Sequence, residues 1–277
     1  MQSEGRRDEG PSPSLEVDTG VLGVREPRLI ERLLPHARNL CKHYFSLRVE
    51  GRQHIPSGPV LYVSNHNNGL AGPDILCTLT TLWEARGSAA PLYGLAHDFA
   101  MHQVTPIGAV LGRFGALRAT QENGRRALES GAQVLVYPGG DLEAYRHSRR
   151  RDEIVLGDRT GFVRLARAAG VPIVPVVAEG AHRSAIVLSE GARFARHSGL
   201  ARWARVQRFP VALALPWGLA LGPWLPWLPL PFPIQLRFLP AIHVPADEAP
   251  ESVRETIRGL MQGALDDMSR ARRAGAT

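Results

Sequence analysis

Short runs of apolar residues alternate with amphipathic stretches along most of the chain. Five runs have the length of buried strands, and the stretches between them place apolar residues at helical spacing. The predicted strands cover 60–64, 92–95, 133–137, 173–178 and 234–239, and the predicted helices lie near 74–86, 99–112, 121–130, 160–169 and 252–273. Such alternation predicts an α/β fold with a mixed, largely parallel sheet flanked by helices.

The end of the predicted strand 60–64 carries the first candidate chemistry. Ser64, Asn65 and His66 lie at that end, a loop rich in Gly, Asn and Pro follows, and Asp74 begins the next helical pattern. The histidine and the aspartate can converge across this loop, and a neutral imidazole held by a carboxylate is a competent general base near neutral pH. A plainer interpretation is also open, in which Asp74 caps its helix and His66 is an ordinary loop histidine.

A double glycine follows the predicted strand 133–137. The run 137–143 reads Tyr-Pro-Gly-Gly-Asp-Leu-Glu, so that Gly139 and Gly140 come directly after the strand. Two glycines allow backbone N–H groups to approach a ligand closely, although a plain turn uses the same residues.

Two other segments have a recognisable pattern. The run 112–119, Gly-Arg-Phe-Gly-Ala-Leu-Arg-Ala, contains Arg118, which suits bidentate binding of a phosphate or carboxylate and equally suits a surface position. The run 171–177, Val-Pro-Ile-Val-Pro-Val-Val, predicts a buried strand interrupted by prolines, which favours an edge or strand-end position.

In order and spacing, these four segments resemble the motifs of the glycerolipid acyltransferase superfamily, typified by the bacterial 1-acylglycerol-3-phosphate acyltransferases. The first motif of that family is Asn-His-x4-Asp, whereas seven residues separate His66 from Asp74 here. The Tyr-Pro-Gly-Gly run, with Glu143 and Ala144 after it, is most similar to the branch that contains diacylglycerol acyltransferases and phytyl-ester synthases.

The resemblance implies an O-acyltransferase that moves a fatty acyl group from acyl-CoA or acyl carrier protein to a glycerolipid or other lipid hydroxyl, without a cofactor or metal. His66 is then the general base and Asp74 its orienting carboxylate. Backbone N–H groups near the glycine pair are expected to stabilise the oxyanion. The residues expected to bind substrate are Asn65, Asn67, Arg118, Pro138, Gly139, Gly140 and Glu143. A lipid thioesterase or hydrolase with the same dyad, and an inactive membrane-binding homologue, stay open as alternatives.

Two segments are candidates for contact with a membrane. The amphipathic helix predicted over 28–47 fits a membrane surface or a protein core equally well; its apolar positions are Leu29, Leu33, Leu40, Tyr44 and Phe45. The segment 209–236 has no charged residue, three tryptophans (Trp217, Trp224 and Trp227) and seven prolines. The prolines argue against a spanning helix, so the sequence predicts insertion at the lipid interface, with a Pro-rich internal cap or an acyl-tunnel wall as the alternative.

Composition narrows the setting. The formal net charge is +7, which favours anionic partners such as membranes, and we find no nucleic-acid-binding motif. Cys41 and Cys77 are expected to be buried free thiols of a reducing compartment, and residues 1–24 a disordered polar tail before a single domain over 25–277. The basic run 146–151 is expected to be a solvated loop. These features predict a peripheral protein on the cytoplasmic face of a membrane.

Overall fold

A seven-stranded sheet forms the centre of the computed structural model, which describes residues 22–67, 72–97, 101, 107–192, 208–222 and 228–275. Its strand order is β1-β10-β6-β2-β5-β3-β4, and every neighbouring pair is parallel except β10 with β6. The strands are β1 (Arg48–Glu50), β2 (Val60–Ser64), β3 (Leu92–Ala96), β4 (Ala116–Arg118), β5 (Gln133–Val136), β6 (Ile173–Glu179) and β10 (Gln235–Phe238). The predicted mixed, largely parallel α/β sheet is confirmed.

Helices cover both faces of this sheet. They are α1 (Pro27–Asn39), α2 (Pro73–Arg86), α3 (Ile107–Arg113), α4 (Gln121–Glu129), α5 (Gly140–Ala144), α6 (Gly161–Ala169) and α7 (Pro250–Arg273). Side chains alternate along β2, so that Leu61 and Val63 pack with residues of α4, α6 and α7, while Val60 and Tyr62 pack with residues of α1 and α2. Because both faces are covered, the central strands are apolar except at their ends, as is typical of buried parallel strands.

Strand β6 corrects the expectation drawn from its prolines. It lies inside the sheet, between β10 and β2, and not at an edge. The carbonyl of Pro175 accepts a hydrogen bond from Leu239 N–H, just beyond the last residue of β10, at 2.9 Å. N–H and C=O of one strand residue point to the same side, so the N–H that proline lacks would face the point where β10 ends. An interior strand therefore tolerates this proline.

The N-terminal region differs from its prediction in two ways. Leu22–Val24 form a turn of 3-10 helix, and Leu22 packs against the core, so the predicted tail extends too far; residues 1–21 lie outside the described residues. Helix α1 continues into a π-helical turn over Leu40–Tyr44. Among the predicted apolar positions, Phe45 is buried, whereas Leu33, Leu40 and Tyr44 are exposed.

A second sheet of three antiparallel strands lies between β6 and β10 in the chain. It consists of β7 (Ile186–Ser189), β8 (Val211–Ala214) and β9 (Gly218–Leu221), in that order; we call it the small sheet. Strands β8 and β9 lie in the first half of the uncharged segment 209–236, in which Trp217 is half exposed, while Trp224 and Trp227 lie outside the described residues. None of the helices in the described ranges is long and apolar enough to cross a membrane.

Candidate active site

His66 and Asp74 meet at the carboxyl edge of the large sheet. His66 follows the end of β2, and Asp74 is the second residue of α2. The His66 Nδ1 and Asp74 Oδ2 atoms are 3.2 Å apart, although seven residues separate the two positions. Asp74 is fully buried, and its Oδ2 also accepts the Asn67 N–H at 3.1 Å. Gly72 occupies the N-cap position of α2, so Asp74 does not cap its helix.

The contact with Asp74 selects one tautomer of the imidazole. The carboxylate accepts a hydrogen bond from Nδ1–H, so the proton of the neutral imidazole stays on Nδ1 and Nε2 is the ring nitrogen without a proton. The Tyr137 ring lies against the imidazole, with ring centroids 4.9 Å apart. His66 is therefore oriented both by a buried carboxylate and by an aromatic side chain.

A buried charged pair, Glu143 and Arg146, holds the backbone on either side of His66. Glu143 Oε2 accepts the His66 N–H at 2.8 Å, and its Oε1 accepts the Val155 N–H at 2.9 Å. Arg146 Nη1 donates to the His66 carbonyl at 2.9 Å, and its Nη2 donates to Asn67 Oδ1 at 2.9 Å. The backbone N–H and C=O of His66 are thus both hydrogen-bonded by side chains, the N–H by the acidic Glu143 and the C=O by the basic Arg146.

Arg146 uses its full hydrogen-bonding capacity inside the protein. It is 1% exposed and makes five hydrogen bonds of 2.8–3.0 Å, which equals the number of N–H donors on a guanidinium. The expectation of a solvated loop over 146–151 is wrong for this residue, because the chain turns back over it at Arg150 and Arg151, whose carbonyls accept two of the bonds. Burial lowers the pKa of the Arg146 guanidinium.

Desolvation changes the proton affinity of Glu143. Burial raises the pKa of its carboxyl to about 7, although the Arg146 charge and the N–H groups of Val155 and His66 favour the ionised form. His182, also buried, donates Nε2–H to the Arg146 carbonyl at 2.8 Å, and burial lowers the pKa of its imidazole well below the usual range. His182 is therefore neutral and serves as a support of the Arg146 backbone.

The residues predicted to bind substrate lie in different surroundings. Asn65, Asn67 and Glu143 are fully buried and bond to protein groups: Asn65 joins both the N–H and the C=O of Ala178, Asn67 accepts from Arg146 through Oδ1, and Glu143 accepts the His66 N–H. These three act as positioning residues around His66. Pro138 and Gly140 line a cavity beside His66, whereas Arg118 is half-buried at the end of the edge strand β4.

The glycine pair packs closely against its neighbours. Gly140 has φ of +51°, and its N–H donates to the Tyr137 carbonyl at 3.1 Å, so this N–H is already bonded, while oxyanion stabilisation by other N–H groups near the pair stays a prediction. A Cβ atom on Gly139 would collide with Glu143 and the Val155 carbonyl, and one on Gly140 would collide with the guanidinium of Arg159. Packing of neighbouring side chains and a left-handed turn therefore require these glycines.

A cavity of about 550 Å³ opens beside His66. This volume lies within the range of about 300–1,000 Å³ that small-molecule sites occupy. Its wall is largely apolar. The apolar residues that line it come from several helices and strands and include Leu79, Leu95, Leu111, Phe114, Leu135, Phe162 and Leu165. An extended apolar ligand fits such a wall, with its reactive end near the imidazole.

Arg159 places a cation on the cavity wall, and sequence reasoning missed it. Its Nη1 donates to the Pro138 carbonyl at 3.0 Å, and its Nη2 lies 3.5 Å from Asp141 Oδ1. Nothing in the sequence around Arg159 distinguishes it from the many other arginines. Arg146, in contrast, follows Glu143 by three residues in the segment after β5, and an acid and a base at this spacing are a signal that could have indicated a pair.

Comparison with known proteins agrees with this geometry. The family model described as "Acyltransferase" matches residues 46–179, which contain the dyad and the glycine pair. The "DGAT1/2-independent enzyme synthesizing storage lipids" of Mus musculus is 25% identical over 224 residues, 80% of this chain and 60% of that protein. The "1-acyl-sn-glycerol-3-phosphate acyltransferase" of Limnanthes douglasii is 25% identical over 144 residues, 49% of this chain and 46% of that protein.

The fold is also found in a solved crystal structure. The crystal structure of the 1-acyl-sn-glycerophosphate (LPA) acyltransferase PlsC from Thermotoga maritima superposes with a TM-score of 0.52 at 16% identity, over 87% of this chain and 82% of that chain. The chain spans about 60% of the length of the mouse relative. The matched family model, the relatives and the shared fold agree with the resemblance of the four sequence motifs to those of the glycerolipid acyltransferase superfamily.

Proposed function

We propose that this chain transfers a fatty acyl group from a thioester, acyl-CoA or acyl carrier protein, to the hydroxyl of a glycerolipid or similar lipid. The observation that carries the proposal is the 3.2 Å contact between His66 Nδ1 and the buried Asp74 carboxylate, with His66 lining an apolar cavity. The cavity wall suits the acyl chain, and its end beside His66 is where a thioester carbonyl would meet the acceptor hydroxyl.

The chemistry follows from the tautomer of His66. Nε2 takes the proton of the acceptor hydroxyl as its oxygen bonds to the thioester carbonyl carbon. Asp74 stabilises the imidazolium that forms. When the tetrahedral intermediate collapses, the C–S bond breaks, and the departing thiolate receives the proton from His66. The products are an ester and a free thiol, and no serine or cysteine nucleophile takes part.

The seven-residue spacing between His66 and Asp74 supported the alternative of an inactive homologue. That argument is weakened, because Nδ1 and Oδ2 lie within hydrogen-bonding reach in spite of the longer loop. The thioesterase alternative uses the same two residues with water as the acceptor, so only the product distinguishes it from acyl transfer.

The test is an assay of the purified protein with labelled acyl-CoA, labelled acyl carrier protein and a panel of acceptors that includes a monoacylglycerol, a diacylglycerol and a lysophosphatidate. We expect labelled ester with at least one acceptor and a loss of about 10²- to 10⁴-fold in His66→Ala. His36→Ala is the matched control, since His36 is exposed on α1 and does not line the cavity. Free fatty acid as the sole product would identify a thioesterase, and unchanged turnover in His66→Ala would refute the dyad.

A further inference from the structure

The small sheet presents its large apolar side chains to the outside. Its register pairs Ile186 with Leu213 and Leu213 with Leu219, so these three form one row across the strands, and they are 43%, 43% and 53% exposed. We call the outward side of this sheet the apolar face. Its other large members are Leu188, Leu215, Trp217, Leu221 and Leu228, each about half exposed.

The inward side of the same strands carries only small residues. Val187, Ala212 and Ala220 pair across the sheet in the same manner, and all three are fully buried. A sheet that packs one face in a protein interior ordinarily places its large residues inward. The reversed distribution leaves a flat, contiguous apolar surface of the kind that marks an interaction site.

Basic residues border the apolar face. The Val187 N–H donates to Ser148 Oγ at 2.8 Å, which fixes the run 148–151 beside the edge strand β7. Arg149 and Arg151 in that run are exposed. The nearby acid Glu190 is already paired, with Arg208 at 3.3 Å and with Arg150 at 3.5 Å. An uncharged face with a cationic border complements a bilayer that has an apolar interior and anionic headgroups.

The apolar face also lies close to the candidate active site. The inward alanines Ala212, Ala214 and Ala220 pack against Ala144 and Tyr145, and the last two residues line the cavity. A single layer of strands therefore separates the apolar face from the cavity wall.

We propose that the apolar face of the small sheet docks this protein onto an anionic lipid bilayer. This inference rests on the proposed function. If the chain acylates a lipid, the acceptor and the acyl product both reside in the membrane, and the cavity must lie close to it. Docking through this face brings the cavity beside the headgroup layer. The half-exposed Trp217, at the turn between β8 and β9, has the amphipathic ring that favours this depth.

The first experiment is co-sedimentation with vesicles of phosphatidylcholine containing phosphatidylglycerol. We expect wild-type protein to bind and the variant Leu213→Ser/Trp217→Ser/Leu219→Ser to bind about tenfold or more weakly. Val110→Ser/Leu260→Ser is the matched control, because these residues are 48% and 49% exposed on α3 and α7, away from the small sheet. Arg149→Gln/Arg151→Gln should weaken binding to anionic vesicles only, and added salt should have the same effect.

A second measurement does not depend on large changes to the face. Cys41 and Cys77 are buried, so an introduced surface cysteine reacts selectively with a polarity-sensitive dye. The dye attached in Leu219→Cys should shift to the blue on anionic vesicles, while the dye attached in Leu260→Cys should not. Equal shifts at the two positions, or equal sedimentation of the serine variant and wild type, would overturn the proposal.

Binding and turnover are measured separately, so that failure of docking is distinguished from failure of the proposed function. Turnover of the serine variant on substrates in detergent micelles should stay near that of wild type. Vesicle binding that depends on the apolar face, in a protein without acyl transfer, would retain docking and refute the function. If Leu213→Ser/Trp217→Ser/Leu219→Ser instead turns a stable dimer into a monomer, the occupant is a second copy of the chain and the lipid proposal is wrong.

Discussion

In both sheets of this protein, side chains alternate between the two faces of each strand, but the two sheets bury residues of different size. In the large sheet, β2 and β5 bury large aliphatic residues on both faces, beneath α1 and α2 on one side and α4, α6 and α7 on the other. In the small sheet, β8 and β9 bury alanines and expose leucines. Hydrophobicity alone therefore does not identify the buried face of a strand, because in the small sheet the larger apolar residues are the exposed ones.

The two sheets also differ in how polar groups are handled. The carboxyl edge of the large sheet contains buried charges, Asp74, Glu143 and Arg146, each held by several hydrogen bonds. The strands of the small sheet carry no charged residue at all. The carboxyl edge of the large sheet orients His66, and the proposed role as general base needs this defined geometry. The proposed docking surface on the small sheet needs only area and the absence of charge.

The largest expected effect concerns the buried charges of the large sheet. Arg146→Met leaves Glu143 without its cation and removes the support of the His66 carbonyl, so we expect the free energy of unfolding to fall by about 3–5 kcal/mol. Arg150→Met, in the same basic run but exposed, should change it by less than about 0.5 kcal/mol. Urea denaturation measures both. Similar values for the two variants would mean that the Arg146 bonds contribute no net stability.

The second prediction compares leucines on the two sheets directly. Leu135→Ala in β5 should cost about 2–5 kcal/mol, because it opens a cavity in a packed core, whereas Leu219→Ala in β9 should lie within about 0.5 kcal/mol of wild type. Thermal and denaturant unfolding in the absence of lipid provide the comparison. A large loss in Leu219→Ala would show that its side chain is covered by protein in solution.

Much of the large sheet could be predicted because its strands are buried on both faces and appear as continuous apolar runs. The predicted bounds of β2 are those observed, and β5 and β6 differ at one end by one residue. β1 and β4 have only three residues each, too few to show a period. β7 was missed, and β8 and β9 lie in a segment expected to contact lipid, where leucine and alanine alternate without any polar residue to mark the exposed face.

The candidate site, like the sheets, was predictable from the sequence only in part. The approach of His66 to Asp74 was predictable, because His66 follows the end of one strand and Asp74 lies at the start of the next helix. The roles of Asn65, Asn67 and Glu143 were not, because a polar residue beside a histidine looks the same whether it contacts ligand or protein backbone. Arg159 reaches the cavity wall only through the folding of its loop.

The third prediction tests the inward side of the small sheet. Ala212→Leu places a large side chain against Ala144 and Tyr145, so we expect overpacking to cost about 1–3 kcal/mol. The same change displaces residues that line the cavity and should lower turnover as well. Leu213→Ala, the neighbouring outward position, serves as the control and should leave both quantities nearly unchanged. Tolerance of leucine at position 212 would mean that the small sheet packs loosely on the cavity wall.

The last prediction concerns a pH dependence from Glu143. Its pKa is about 7 in the folded protein and about 4.3 in an unfolded chain, so between these values the folded state holds a proton that the unfolded state has released. The contribution of Glu143 to the free energy of unfolding is therefore present in full below about pH 4.3, falls as the pH rises to about 7, and is constant above that.

Glu143→Gln removes this titration, and it isolates the contribution of Glu143 from those of the other carboxylates. The difference in free energy of unfolding, wild type minus variant, should decrease from about pH 4.5 to about pH 7 and then level off. Glu129→Gln, an exposed position on α4, is measured alongside as the control for loss of a surface carboxylate. A flat profile for Glu143→Gln would mean that the Arg146 charge offsets the cost of burial, and that Glu143 is ionised whenever His66 is positioned for catalysis.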